Sequence, residues 1–127
     1  MSISNYLEAK LLDATFNSQP FAVTGDPYVS LHTGDPGETG LSVGELTSGT
    51  SPRKQVNFNN ASGGTLDNAT HAYFTSVPGQ FTITHIGVWD SLTGGNHLWS
   101  GALTTAKVVN QGDTFELGTN DIDVTLD

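Results

Sequence analysis

Four histidines, His32, His71, His85 and His97, are the residues of this chain best suited to acid–base or metal chemistry. His85 and His97 fall on the two arms of an expected hairpin, so a cross-strand pair is geometrically reachable. With Asp90 they would make a two-histidine, one-carboxylate metal cluster. No H-E-x-x-H or comparable ligand spacing supports it, and the ordinary reading is structural, with ring nitrogens bonded to backbone or threonine hydroxyls. Serine–histidine–aspartate catalysis needs a nucleophile on a strained strand-to-helix turn, and no such site is expected here. A phosphate-cradling G-x-x-x-x-G-K-[ST] loop is absent. Asp121 with Asp123, and Asp35 with Glu38, could hold Ca²⁺ through carboxylate oxygens, but the ligand ladder of a calcium loop is missing. These acids read better as a solvated edge that discourages strand-to-strand aggregation. The expectation is therefore no enzyme, no metal and no cofactor.

Two other sets of residues stand out. Trp89 and Trp99 lie on facing strands with Phe74 and Phe81 near them in the pattern, and read as core. Arg53-Lys54 holds two of the four fixed cations, Lys10 and Lys107 being the others. In so sparsely basic a chain, such a pair suits docking onto an acidic patch of another subunit.

The elements that must position these residues are mostly strands. One helix is expected over 5–16: Asn5 and Glu8 form a capping-box variant, and Ile3, Leu7, Leu11 and Ala14 recur at three- and four-residue spacing. Asn17-Ser18-Gln19-Pro20 ends it. From Tyr28 the period becomes two, with Val29 and Leu31 on one face and Tyr28, Ser30 and His32 on the other. Strands follow around Val56–Phe58, Ala72–Ser76, Gln80–Asp90, His97–Leu103, Lys107–Val109, Thr114–Leu117 and Ile122–Leu126, with Leu92-Thr93-Gly94-Gly95-Asn96 turning the central hairpin. Such spacing predicts a single all-β domain over 1–127, an antiparallel sandwich or jelly-roll-like barrel with one short N-terminal helix. Residues 33–52 keep no period and read as a long loop, ordered by function or by a partner and dispensable for folding.

Composition narrows the classes further. The 127 residues carry 13 acids against 4 fixed cations, a net charge of −9, which argues against binding a phosphate backbone. Without cysteine there is no disulfide, thiolate zinc site or cysteine nucleophile. No stretch approaches the roughly 18 apolar residues of a membrane span. Met1-Ser2-Ile3-Ser4-Asn5 has neither a basic nor an apolar leader region, so no signal peptide is expected.

Several segments taken together resemble a family of small tailed-bacteriophage virion proteins, often labelled tail fibre or minor tail proteins. They are Asn5-Tyr6-Leu7-Glu8, Tyr28-Val29-Ser30-Leu31-His32-Thr33-Gly34-Asp35-Pro36-Gly37, Ile83-Thr84-His85-Ile86-Gly87-Val88-Trp89-Asp90, Leu98-Trp99-Ser100-Gly101-Ala102-Leu103 and Asp121-Ile122-Asp123-Val124-Thr125-Leu126. Where that family tends to place Arg-Gln before a Val-x-Phe strand, this chain reads Arg53-Lys54-Gln55-Val56-Asn57-Phe58. The resemblance implies a non-enzymatic structural subunit repeated by symmetry, a homo-oligomer such as a trimer, on the tail or as a capsid decoration. It implies a virion location after assembly in the host cytoplasm, and major capsid or tail proteins as partners. It implies no nucleic acid or membrane, and leaves room for a host receptor; the alternative within this reading is a receptor- or carbohydrate-binding module. Assembly contacts are then expected from Tyr6, Leu7 and Leu11 on the helix, from Asp35, Pro36 and Glu38 in the loop, and from Arg53 and Lys54 behind it.

Overall fold

A computed structural model describes residues 2–22, 25–39, 44–46 and 53–125. The elements run β1 (Ser2–Ile3), α1 (Asn5–Phe16), β2 (Tyr28–His32), β3 (Arg53–Gln55), β4 (Thr65–Asp67), β5 (Ala72–Phe74), β6 (Phe81–Trp89), β7 (His97–Val109), β8 (Phe115–Leu117) and β9 (Asp123–Thr125). Strands β1-β7-β6-β2-β3 form one five-stranded sheet, and β4-β9 and β5-β8 form two small sheets. All the pairings are antiparallel. The fold is all-β and sandwich-like with one short helix, and among the described residues no sheet closes into a barrel.

Several boundaries differ from the period-based reading. Lys107–Val109 is not a separate strand but the end of β7, which runs on from His97. Pairing after the long loop stops at Gln55, and Phe58 makes only an isolated bridge to Asn68. The two-residue β1 and three-residue β4 escape periodicity because so few residues carry no alternation. Leu126 of the expected last strand lies outside the described residues.

The β6–β7 hairpin is the spine of the sheet, and its irregularities have consequences. Between the pairs Ile83↔Lys107 and His85↔Ala102 the long strand bulges, and the side-chain alternation is reset. Ile83 and Ile86, on either side of this shift, both belong to the core. A second shift leaves Leu98 as an extra residue between the partners of Val88 and Trp89. Against Val29, Leu31, Ile83, Ile86, Val88 and Trp99 pack Ala72 and Phe74 of β5 and Phe115 and Leu117 of β8. Phe74 and Phe115 meet edge to face at 6.4 Å.

A buried amide ties the small sheets together. Asn68 has no exposed surface. Its Nδ2 donates to the carbonyls of Thr70 (2.9 Å) and Gly118 (2.7 Å), and its Oδ1 accepts from Ile122 N–H (2.9 Å). Truncating this side chain orphans buried main-chain groups at about 1–3 kcal/mol each. Asn68→Ala is expected to lower unfolding free energy by about 2–4 kcal/mol in urea titrations, whereas exposed Asn59→Ala shifts it by less than about 1 kcal/mol.

Candidate functional site

The alternation in β2 leads directly to the most unusual region. Val29 and Leu31 face the core as expected, but Ser30 and His32 on the other face are also fully buried. Cross-strand register places Gly87 and Arg53 opposite Ser30, His85 opposite His32, and Ser100 opposite Gly87, so one face of the sheet carries a polar layer. Glu45, from the described part of the long loop, reaches into it. Thr33 N–H bonds Gly44 O (3.0 Å), Leu46 N–H bonds Leu31 O (3.0 Å), and Glu45 bridges His32, so residues 44–46 continue the sheet beyond the end of β3.

Within this layer Arg53 is the hub. Its Nε and Nη2 donate to the two carboxylate oxygens of Glu45 at 2.9 and 3.1 Å, a bidentate pair. Its Nη1 donates to the carbonyls of Ser91 (2.9 Å) and Gly94 (2.8 Å) in the hairpin turn. The guanidinium also lies 3.8 Å above the Trp89 ring. The two side chains are only 5% and 3% exposed. Trp89 Nε1 in turn donates to Ser30 Oγ (2.7 Å), which hydrogen-bonds His32 Nε2 (2.6 Å). The network fits over β6 because residue 87 is glycine: a Cβ there would come within 2.9 Å of both His32 Nε2 and Ser30 Oγ.

Among the described residues, His85, His97 and Asp90 do not come together as one cluster. His85 faces His32, not His97, and bonds its neighbour Thr84 (2.8 Å). Asp90 closes the hairpin turn by accepting from Asn96 N–H (2.7 Å) and Nδ2 (2.9 Å). Among the described residues no group of three or more candidate ligands converges. Gly40-Leu41-Ser42-Val43-Gly44 carries the letters of a nucleophile elbow. Residues 40–43 lie outside the described residues, and Gly44–Leu46 joins the sheet rather than starting a helix, the setting an elbow needs.

The residues expected at assembly contacts divide. Tyr6 and Glu38 converge, because Asn5 N–H bonds Glu38 O (3.0 Å) and both side chains line one cleft. Leu7 is half-buried and packs inward on the core, and Leu11 is half-buried. Asp35 is spent on its own turn, accepting from Gly37 N–H (2.9 Å), and Pro36 is buried. Arg53 is held inside the subunit, while Lys54 beside it is half-buried. The loop is thus not an appendage: it supplies Glu45 and Pro36 to the interior, and residues 40–43 and 47–52 of it lie outside the described residues.

The helix cap also differs. Ser4, not Asn5, is the N-cap, with extended backbone and Oγ accepting from Leu7 N–H (3.2 Å). Ser4 Oγ also donates to His97 O, and Ser4 N–H bonds Leu98 O (2.9 Å), so the cap fastens α1 to β7. No residue of α1 is fully buried, and Ala14, expected on the apolar stripe, is exposed. Leu12 and Phe16, which that stripe omits, are 58% and 77% exposed. Their i, i+4 spacing was the available signal.

His97 completes the layer, 4.8 Å from the Trp89 ring and 3% exposed. Neither ring nitrogen has a hydrogen-bond partner; the nearby Trp99 main chain favours the proton without reaching hydrogen-bond geometry. Burial first, then the His32 and Arg53 charges, hold its pKa below the usual 6.5, with Asp35 pulling weakly the other way. The unfolded chain therefore binds this proton more readily, and stability falls as pH drops below about 6.5. Urea midpoints are expected to decline between pH 7.5 and 5.5, with a shallower decline for His97→Phe. Glu45→Ala, which strands the buried guanidinium, is expected to cost about 3–5 kcal/mol in the same assay.

Comparison with known proteins adds the family. None of the curated proteins matches the chain significantly. A family model does, that of the podophage GP4 fiber I protein gp80, over residues 2–125. With nearly every residue matched, this chain belongs to the phage fibre family Gp80.

Proposed function

We propose that this chain is a non-enzymatic structural subunit of a tail fibre, and that copies of it associate with one another through the outer side of α1. The reading rests on one observation above others. Ala9, Leu12 and Phe16 follow one another at i, i+3 and i+7 on the helix side turned away from β7, and the two large side chains stand in solvent. Burying a side chain such as Phe16 between copies contributes about 1.5–3 kcal/mol per copy. Symmetry multiplies that gain, since each copy presents the same stripe.

Membership of a fibre family favours a tail position over capsid decoration, with other tail proteins as neighbours and assembly in the host cytoplasm. The polar layer supports the non-enzymatic reading: Ser30 and His32, though hydrogen-bonded like a nucleophile and base, are sealed with no exposed surface. No helix among the described residues is long and apolar enough to cross a membrane. The net charge of −9 keeps such a subunit away from nucleic acid and in solution until it assembles.

Light scattering coupled to size-exclusion chromatography tests the interface. The native chain is expected to run as a defined oligomer whose mass gives the copy number. Leu12→Ser with Phe16→Ser is expected to run as a monomer that still unfolds cooperatively, at the lower melting temperature that loss of association brings, since both side chains are exposed in the single chain. Equal oligomer mass for the two proteins would exclude this face.

A further inference from the structure

His97 packs as a plain aromatic ring would. It lies 4.8 Å from the Trp89 ring, is 3% exposed, and neither ring nitrogen has a hydrogen-bond partner. Phenylalanine could fill such a place by shape. What separates the imidazole from it is the ability to take a proton near neutral pH. The sealed ring has nothing to receive that charge, because an imidazolium needs acceptors for two N–H groups and either an opposite charge or water.

The charges around the ring come from several elements. Burial most of all, then His32 of β2 and Arg53 of β3, oppose a positive charge there and lower its pKa; the Trp99 main chain and Asp35 of the loop pull the other way. Two further acids are already engaged, Glu45 with Arg53 and Asp90 with Asn96. Glu38 is the exposed acid nearest to hand: with Thr39 from the loop, Asn5 and Tyr6 from α1, and His97 itself, it lines a cleft of about 290 Å³. Tyr6 is the other titratable group on that lining.

The elements around this cleft are not equally well fastened. Ser4 N–H bonds Leu98 O (2.9 Å) and Ser4 Oγ donates to His97 O, so the helix start is tied to β7. Asp90 accepts twice from Asn96 in the hairpin turn. Loop and helix are joined there by a single main-chain bond, Asn5 N–H to Glu38 O at 3.0 Å. That bond is the place to yield.

We propose that protonation of His97 breaks the Asn5–Glu38 contact, admitting water to the ring and leaving the Glu38 carboxylate free to meet the new charge. The contact between loop and α1 is then a latch, shut at neutral pH and released in weak acid. Once wetted, His97 returns toward its ordinary value of 6.5, so the open form binds the proton more readily and gains population as pH falls through about 6.5. The latch does not depend on self-association through the outer side of α1.

Amide hydrogen exchange, followed by NMR on the isotopically labelled full chain, tests this. Protection factors, which remove the intrinsic pH dependence of exchange, are compared at pH 7.5 and 5.5. Asn5 protection is expected to fall about tenfold, as one linked proton allows over that interval, while the amides of the β2–β6 pairing keep theirs. The His97 ring signals are expected to change with the same midpoint as Asn5. His97→Phe, which keeps a ring and removes the proton, is expected to hold Asn5 protection constant. The inference is overturned if Asn5 protection does not change, or if it falls only in step with the β2–β6 amides, which is global unfolding. It is equally overturned if the Asn5 midpoint follows His32, His71 or His85 instead, or if folded His97→Phe shows the same fall. Should that variant not fold, the ring titration in the native chain decides.

Discussion

The bidentate contact between Arg53 and Glu45, laid over the face of Trp89, is the interaction on which the rest of the molecule's arrangement depends. A sheet with one apolar and one polar face would ordinarily leave the polar face in water. Here Arg53 gathers a loop residue, two carbonyls of the β6–β7 turn and a tryptophan into one buried cluster on that face. Taking a guanidinium and a carboxylate out of water is expensive, and the pair is tolerable because nearly every donor has an acceptor. Its strength lies less in net stability than in fixing Glu45, and with it residues 44–46, against the sheet.

Other features follow from that packing. Gly87 is needed because the Ser30–His32–Trp89 chain crosses β6 at a distance that no side chain could share. Gly95, at φ +72°, lets the hairpin turn curl against Asp90, and the adjacent Gly94 carbonyl faces Arg53. Burial, with His32 and Arg53 beside it, lowers the His97 pKa. The fold thus spends its scarce arginine on interior order, and the acidic excess is left on the outside.

The helix is the counterpoint. It is fastened by its cap and its inner side chains, yet its outer side shows Leu12 and Phe16 to solvent. Under the proposed self-association these two conditions belong together: a well-fixed element presenting an apolar surface would meet a symmetry mate at little further entropic cost.

Much of the architecture was legible in the residues themselves. Period-two alternation in Tyr28–His32 and Phe81–Trp89, the Gly-Gly turn and the Asn5–Phe16 helix are local signals, and local backbone preference with a simple burial pattern suffices to form them. The family resemblance was also carried by strings of residues, independent of how they fold. What only the tertiary structure decided was which of the polar residues are inside. Arg53, read as a docking cation, is buried because Glu45 and Trp89 arrive from other parts of the chain; Asn68 is buried because β4 and β9 pair. The Ser4 cap and the outward Leu12 and Phe16 likewise depend on where β7 lies. Sequence spacing reports how a segment folds against itself, whereas the burial of a charge or an amide depends on partners distant in the chain, and only packing brings those together.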